Sequence, residues 1–291
     1  MTGSQPRLCL GTVQFGVAYG IAGRSEAVGD AEARAILEVA HAGGIRRLDT
    51  APAYGDIEAR LGRLCSGLDF TIMSKIPALP VDCTDDQAAA FVTKSLELSR
   101  ERLGDKLCGI LFHESRDLAG PAGSRLWEAA AQWCSREGVA LGASTYGPEQ
   151  LDALGQIFPV QICQMPGNAF DQRLTGFDGR FETVEITLRS VFLQGLLLMT
   201  PNAGSERLPA AAAALNRWHR RCSDLGLTPI ECALAIAKAL PGADFCAVGV
   251  DGTAHLEQII ASWNGTTPRE APELAITDGA IIDPRQWSIA N

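Results

Sequence analysis

The sequence predicts an α/β protein folded as a single (β/α)8 barrel over residues 1–291, and three observations carry the prediction. Eight short apolar runs alternate with longer amphipathic stretches. The runs lack the polar alternation of half-exposed strands, as strands covered on both faces should. No linker or low-complexity segment interrupts the pattern.

The expected strands are Leu8 to Thr12, Arg47 to Asp49, Thr71 to Ser74, Gly109 to Phe112, Val139 to Ser144, Val160 to Cys163, Val184 to Leu188, and Phe245 to Val250. Helix periodicity fills the intervals. Ala33, Ile36, Leu37 and Ala40 form one stripe, Ile57, Leu61, Leu64 and Leu68 another, and Leu215, Trp218, Cys222 and Leu225 a third. Thr84 with Gln87 reads as a capping box. Thr228, Pro229 and Glu231 supply a cap, an N1 proline and an N3 acid, and Gly147-Pro148 opens a further helix. A doubly wound sheet is the alternative. Against it, Gly11, Gly16 and Gly20 follow the first strand at the wrong spacing for a dinucleotide fingerprint, and no helix is expected to open there.

Composition narrows the function. The chain is 46% hydrophobic and carries a net charge of -9, with lysines and arginines scattered rather than striped. A nucleic-acid partner is therefore not expected, and an anionic ligand needs a local basic pocket. No two of the nine cysteines lie within four residues of each other, which reads as free thiols in a reducing compartment without a metal site. Neither a signal segment nor a run long enough to cross a bilayer is evident, so a cytoplasmic location and no membrane partner are expected.

In such a barrel, chemistry sits at the carboxyl ends of the strands. Strand two ends at Asp49, with Tyr54 just beyond; strand three ends at Lys75 and strand four at His113. Each alone reads as structural, but four on adjacent strand ends form a catalytic constellation. Hydride transfer to a carbonyl leaves an oxygen that needs a proton. A free tyrosine, with a pKa of about 10, is too weak an acid near neutrality, and a nearby ammonium corrects this. Lys75 can supply that charge, Asp49 can keep Lys75 charged and aimed, and His113 can orient the carbonyl.

The segment Asp49-Thr-Ala-Pro-Ala-Tyr54-Gly-Asp-Ile-Glu58-Ala-Arg-Leu-Gly62 resembles the aldo-keto reductase signature at every fixed position. Ser74-Lys75 and Phe112-His113 resemble that family's lysine and histidine segments. Leu10-Gly11-Thr12 is similar to its first strand, Gly142-Ala-Ser144-Thr145 to its G-x-S-N turn, Gln164-Met-Pro-Gly-Asn168 to its Q-x-P-x-N segment, and Ser190 to Leu197 to its S-P-L-x-x-G-x-L loop. The resemblance implies an oxidoreductase that uses NAD or NADP and acts on a small carbonyl or alcohol, with Tyr54 as acid/base beside Asp49, Lys75 and His113. It implies that Ser144, Thr145 and Gln164 hold the nicotinamide carboxamide, with Gly11 and Thr12 nearby and Ser190, Phe192 and Gly195 in the phosphate loop.

Several positions depart from the family pattern. Thr145 replaces the usual asparagine. Arg189 stands where many members stack an aromatic on the nicotinamide, so it either stacks there or turns away to an anion. In the segment where NADP-preferring members carry a basic residue, this chain has Gly249, Asp251, His255 and Gln258. A carboxylate at 251 repels a 2′-phosphate, which points to NADH unless His255 or Arg269 compensates. The family's N-terminal floor hairpin is expected to be missing.

The substrate pocket is expected to include Phe15, Tyr19, Asn168 and Arg173. The polar rim residues Gln14, Asn168, Asp171 and Arg173 suggest a hydroxylated, sugar-like carbonyl. Two other readings remain at this point. Lys75 could form a Schiff base in a lyase, or the barrel could bind its cofactor without turnover.

Overall fold

The computed structural model describes residues 5–18, 20, 26–81 and 83–287. Eight parallel strands close into a barrel in sequence order: β1 (Arg7–Gly11), β2 (Arg47–Asp49), β3 (Thr71–Ile76), β4 (Leu107–Phe112), β5 (Ala140–Ser144), β6 (Ile162–Pro166), β7 (Glu185–Arg189) and β8 (Phe245–Gly249). Closure is made by β1, which pairs with β2 through Cys9–Arg47 and with β8 through Arg7–Phe245.

All eight expected strands form, with shifted ends. β3 continues to Ile76. β6 lies two residues later than expected, so that Gln164 falls inside it. A polar glutamine and a proline made that stretch read as a loop, but a proline at the last position removes no ladder bond the strand needs. A four-residue helical turn, Val13–Gly16, follows β1 where none was expected. The capping boxes at Thr84 and Thr228 are both formed, and Pro148 opens its helix.

Strand parity decides what faces the inside. Side chains alternate along a strand, so Arg47 and Asp49, Met73 and Lys75, Ile162 and Gln164, and Glu185, Thr187 and Arg189 share the inner face. At the floor, Arg47 bonds Glu185 at 2.8 Å, and the Arg7 and Arg47 guanidiniums lie 4.4 and 4.6 Å from the Phe245 ring. Met73, Leu111 and Ile162 fill the middle layer. The remaining inward polar groups Asp49, Lys75, Gln164 and Arg189 stand toward the carboxyl mouth. Outside the barrel, the helix stripes bury a continuous shell in which Ala33, Ile36, Leu37, Leu61 and Trp218 are inaccessible to solvent. No described helix is long and apolar enough to cross a membrane. Seven of the nine free cysteines are buried and two, Cys83 and Cys108, are partly exposed. Trp287 packs on the outer layer, where its indole N–H donates to the Ile281 carbonyl at 3.0 Å.

Glu58 of the signature has an architectural role. Its buried carboxylate accepts from Ser74 on β3 (2.5 Å), from Ser99 (2.8 Å) and from Arg102 (3.0 Å), both on the helix Asp85–Leu103. It therefore fixes the strand that carries Lys75. Glu58→Ala is expected to destabilise the protein by about 3 kcal/mol in urea unfolding, because it leaves two buried hydroxyls and a cation without their acceptor, and Glu58→Gln by less.

Candidate active site at the carboxyl mouth of the barrel

Three adjacent strand ends bring the four expected groups together. Pro52 opens a short 3-10 turn, Pro52–Tyr54, immediately after β2, and Ala51 before it is extended, as a residue preceding proline should be. That turn swings Tyr54 back over the mouth. Lys75 is 1% exposed; its ammonium donates to Asp49 Oδ1 at 2.7 Å and to the Thr50 carbonyl at 3.0 Å, and its Nζ lies 5.4 Å from the centre of the Tyr54 ring. His113 follows β4 directly and meets Tyr54 edge to face, with ring centres 6.2 Å apart.

The electrostatics divide these groups. Burial alone would lower the Lys75 pKa, but the Asp49 carboxylate and the Tyr54 hydroxyl outweigh it and hold the ammonium above its ordinary value. His113 moves the other way. Burial, assisted by the Lys75 and Arg189 cations, lowers it to about 4. The imidazole is therefore neutral near pH 7, able to donate one hydrogen bond without carrying charge.

A cavity of about 200 Å3 opens beside this cluster. Gly11, Thr12, Val13, Gln14, Asp49, Tyr54 and Gln164 line one side. Arg189, Ser190, Val191, Phe192, Gln194, Gly195 and Leu198 line the loop side, and Gly249, Asp251 and His255 the far end. Thr12 is held from below, since its N–H and hydroxyl both donate to the Asp49 carbonyl, at 3.0 and 2.9 Å. Ser190, Leu193 and Gln194 all have positive φ (58°, 48° and 53°), a conformation that costs each non-glycine residue about 1–3 kcal/mol and that clusters where a ligand is gripped. The Gln14 Oε1 is buried without a hydrogen-bond partner among the described residues. The Gln14 amide packs against Gly249, where an added Cβ would lie 2.4 Å from it. An orphaned acceptor and a strained loop on the wall of one cavity together fit a polar ligand.

Several expected site residues lie elsewhere. Phe15 is fully buried in the core, and its carbonyl is held by Arg60. Asn168 is fully buried as well. Its amide donates to the Ser190 carbonyl at 3.1 Å and its Oδ1 accepts from the Phe170 and Asp171 N–H groups, so it positions the strained loop instead of meeting substrate. Arg173 is paired with Asp171 at 2.8 Å and donates to the Tyr146 carbonyl at 2.6 Å. The polar rim that suggested a sugar-like substrate is thus largely bonded to itself, and of that set Gln14 alone lines the cavity. Tyr19 lies outside the described residues. Ser144 and Thr145 are buried behind the cavity wall, where the Thr145 hydroxyl meets Cys163 Sγ at 3.6 Å. Gln164 lines the cavity, yet its amide already donates to Asp49 Oδ1 at 2.8 Å. Gln258 is exposed and Arg269 is not among the lining residues. Val13, Val191, Gln194 and Leu198 were not foreseen, because loop closure over a cavity leaves no periodic signature.

Arg189 lies over the Tyr146 ring, with Cζ 4.9 Å from its centre, while its N–H donates to the Thr145 carbonyl at 3.1 Å.

Residues 7–274 match the model of the aldo/keto reductase family. Among solved structures, the fold is similar to an aldo-keto reductase from Bacillus halodurans in its holo form, with a TM-score of 0.74 and 17% identity over 97% of this chain and 95% of that one. It is also similar to a glycerol dehydrogenase from Gluconobacter oxydans, with a TM-score of 0.67 and 18% identity over 94% and 90% of the two chains. At these identities the structural likenesses speak for the fold alone. Among curated proteins, none matches the chain significantly in sequence.

The depressed His113 predicts an acid-side instability. The unfolded chain binds this proton near pH 6.5 and the folded protein only near pH 4, so stability is present above 6.5 and is lost as pH falls toward 4. Between pH 7 and 4.5 the folded protein should lose about 2 kcal/mol that His113→Gln does not lose, measured by urea unfolding of both proteins at the two pH values.

Proposed function

Because the chain belongs to the aldo-keto reductase family, we propose that it reduces an aldehyde or ketone to an alcohol, or runs the reverse, with a nicotinamide nucleotide as partner and Tyr54 as the acid/base. The observation that carries this reading is the buried Lys75 ammonium, bonded to Asp49 and adjoining Tyr54 on the wall of the cavity. The cofactor supplies the hydride that reaches the carbonyl carbon.

The chain's own residues do the rest. Tyr54 gives its hydroxyl proton to the carbonyl oxygen as negative charge builds there. The Lys75 ammonium stabilises the phenolate left behind, and Asp49 with the Thr50 carbonyl keeps that ammonium in place. His113, neutral and edge-on to Tyr54, donates to the same oxygen and orients the carbonyl. In the reverse direction, the phenolate takes the proton from the alcohol. The strained loop Ser190 to Gly195 and the Gln14 amide would hold the nucleotide. A Schiff-base role for Lys75 is disfavoured, because an amine held as ammonium has no lone pair to attack a carbonyl.

Asp251 lines the far end of the cavity beside His255, and the His255 pKa is lowered by burial. A carboxylate and a neutral imidazole offer little to a 2′-phosphate, so NADH is the preferred partner in this reading.

Tyr54→Phe should reduce turnover of a carbonyl substrate by at least about 1,000-fold while leaving NADH affinity, read by tryptophan fluorescence quenching, within a few-fold. Undiminished turnover would remove Tyr54 from the acid role, and a protein that binds neither cofactor would remove the oxidoreductase reading altogether. For Asp251→Arg, NADPH affinity should rise more than NADH affinity; an equal change in both would place residue 251 away from the 2′ position.

A further inference from the structure

Among the described residues, several cations at the mouth are paired with carboxylates and Arg189 is not. Lys75 holds Asp49 at 2.7 Å; Arg173 holds Asp171 at 2.8 Å, with Glu149 at 3.6 Å. Arg285 holds Asp283 at 2.6 Å, and Arg116 lies 3.6 Å from Glu114. Arg189 lines the same cavity as Tyr54, yet among the described residues it has no carboxylate within 4.0 Å. Its guanidinium carries five N–H donors. One donates to the Thr145 carbonyl at 3.1 Å and one reaches Ser190 Oγ only at 3.5 Å. A half-buried guanidinium with donors to spare on a cavity wall is suited to receive an anion.

The receptor is held in a fixed attitude. Its plane rests over the Tyr146 ring, which is itself covered by Arg285 at 3.3 Å and anchored through its carbonyl to Arg173. The Tyr146 hydroxyl points to Glu114 at 3.4 Å, so the phenol takes no part in satisfying Arg189. Arg189 is also close enough to His113 for its charge to help lower the imidazole pKa.

We infer that the carbonyl substrate carries an anionic group, a carboxylate or a phosphate ester, and that Arg189 receives it. The inference rests on the reductase reading above and names its substrate class. The reaction is then the conversion of an oxo acid or an oxo phosphate to the hydroxy compound: the reduced cofactor gives a hydride to the carbonyl carbon, Tyr54 gives a proton to the oxygen, and the oxidised cofactor leaves.

The test compares matched pairs that differ by one charge: 4-oxobutanoate against its methyl ester, and glyceraldehyde 3-phosphate against glyceraldehyde. For the wild type, kcat/KM should favour the charged member of at least one pair by about tenfold or more, mainly through KM, and the pair that shows it identifies carboxylate or phosphate. In Arg189→Gln that ratio should fall to about one, whatever happens to the absolute rates, and Arg189→Lys should restore part of it. Equal kcat/KM for acid and ester and for phosphate and free aldehyde would overturn the inference while leaving the reductase reading intact. So would an Arg189→Gln variant that lowers both members alike and weakens NADH binding, which would assign Arg189 to the cofactor. A readout independent of turnover is the binding of succinate against monomethyl succinate, and of inorganic phosphate, to the protein with and without NADH, followed by tryptophan fluorescence. Arg189-dependent binding of succinate or phosphate with no reduction of any aldehyde would keep the anion site and remove the reductase reading. Binding of neither anion, together with no charge preference in turnover, would remove the anion site.

Discussion

The buried pair of Lys75 and Asp49 is the constraint around which the mouth of the barrel is organised. Withdrawing an ammonium and a carboxylate from water costs several kcal/mol each even after relaxation, and mutual attraction offsets this only if every remaining donor and acceptor is also engaged. Here Asp49 Oδ1 accepts from both Lys75 and Gln164, and Lys75 also donates to the Thr50 carbonyl. Apolar residues of similar volume in place of such a pair are often no less stabilising. What the pair contributes is a positive charge held at one point beside Tyr54, which is what a proton donor there requires.

The surroundings of the pair follow from this need. Glu58 ties β3 to the helix behind it and so fixes the height of Lys75. Thr12 binds the Asp49 carbonyl from the neighbouring strand. The proline-led turn brings Tyr54 over the ammonium. Asn168 fastens the strained loop on the opposite wall, which faces Tyr54 across the cavity. The signature from Asp49 to Gly62 therefore contains two kinds of residue, some that meet the cavity and others that hold β2 and β3 in register. Among the described residues, Arg173, Arg285 and Arg116 have carboxylates within reach, whereas Arg189 on the cavity wall has none.

Much of the site was legible because the polar groups break runs that are otherwise apolar. Asp49, Lys75 and His113 stand at strand ends where a packed barrel has no use for charge, and the family resemblance assigned them a shared chemistry. Phe15, Asn168 and Arg173 lie at the expected end of the barrel but do not line the cavity, because sequence gives the position of a residue and not the direction of its side chain. Asn168 bonds its own loop through an Asx-type turn, and Arg173 finds Asp171 two residues away, so local partners claim both before a substrate could.

Local sequence by itself determined the eight strands, the helix stripes, the capped helix starts and the set of ionisable groups at the strand ends, because periodicity, capping and burial are properties of short segments. Only the tertiary structure decided which of those groups share a hydrogen bond, which arginines find carboxylates, and that Arg189 rests on Tyr146 with donors unused. Some of these outcomes depend on residues far apart in the chain meeting across a closed barrel, as Asp49 and Gln164, 115 positions apart, do, and no local pattern records where such distant side chains will point.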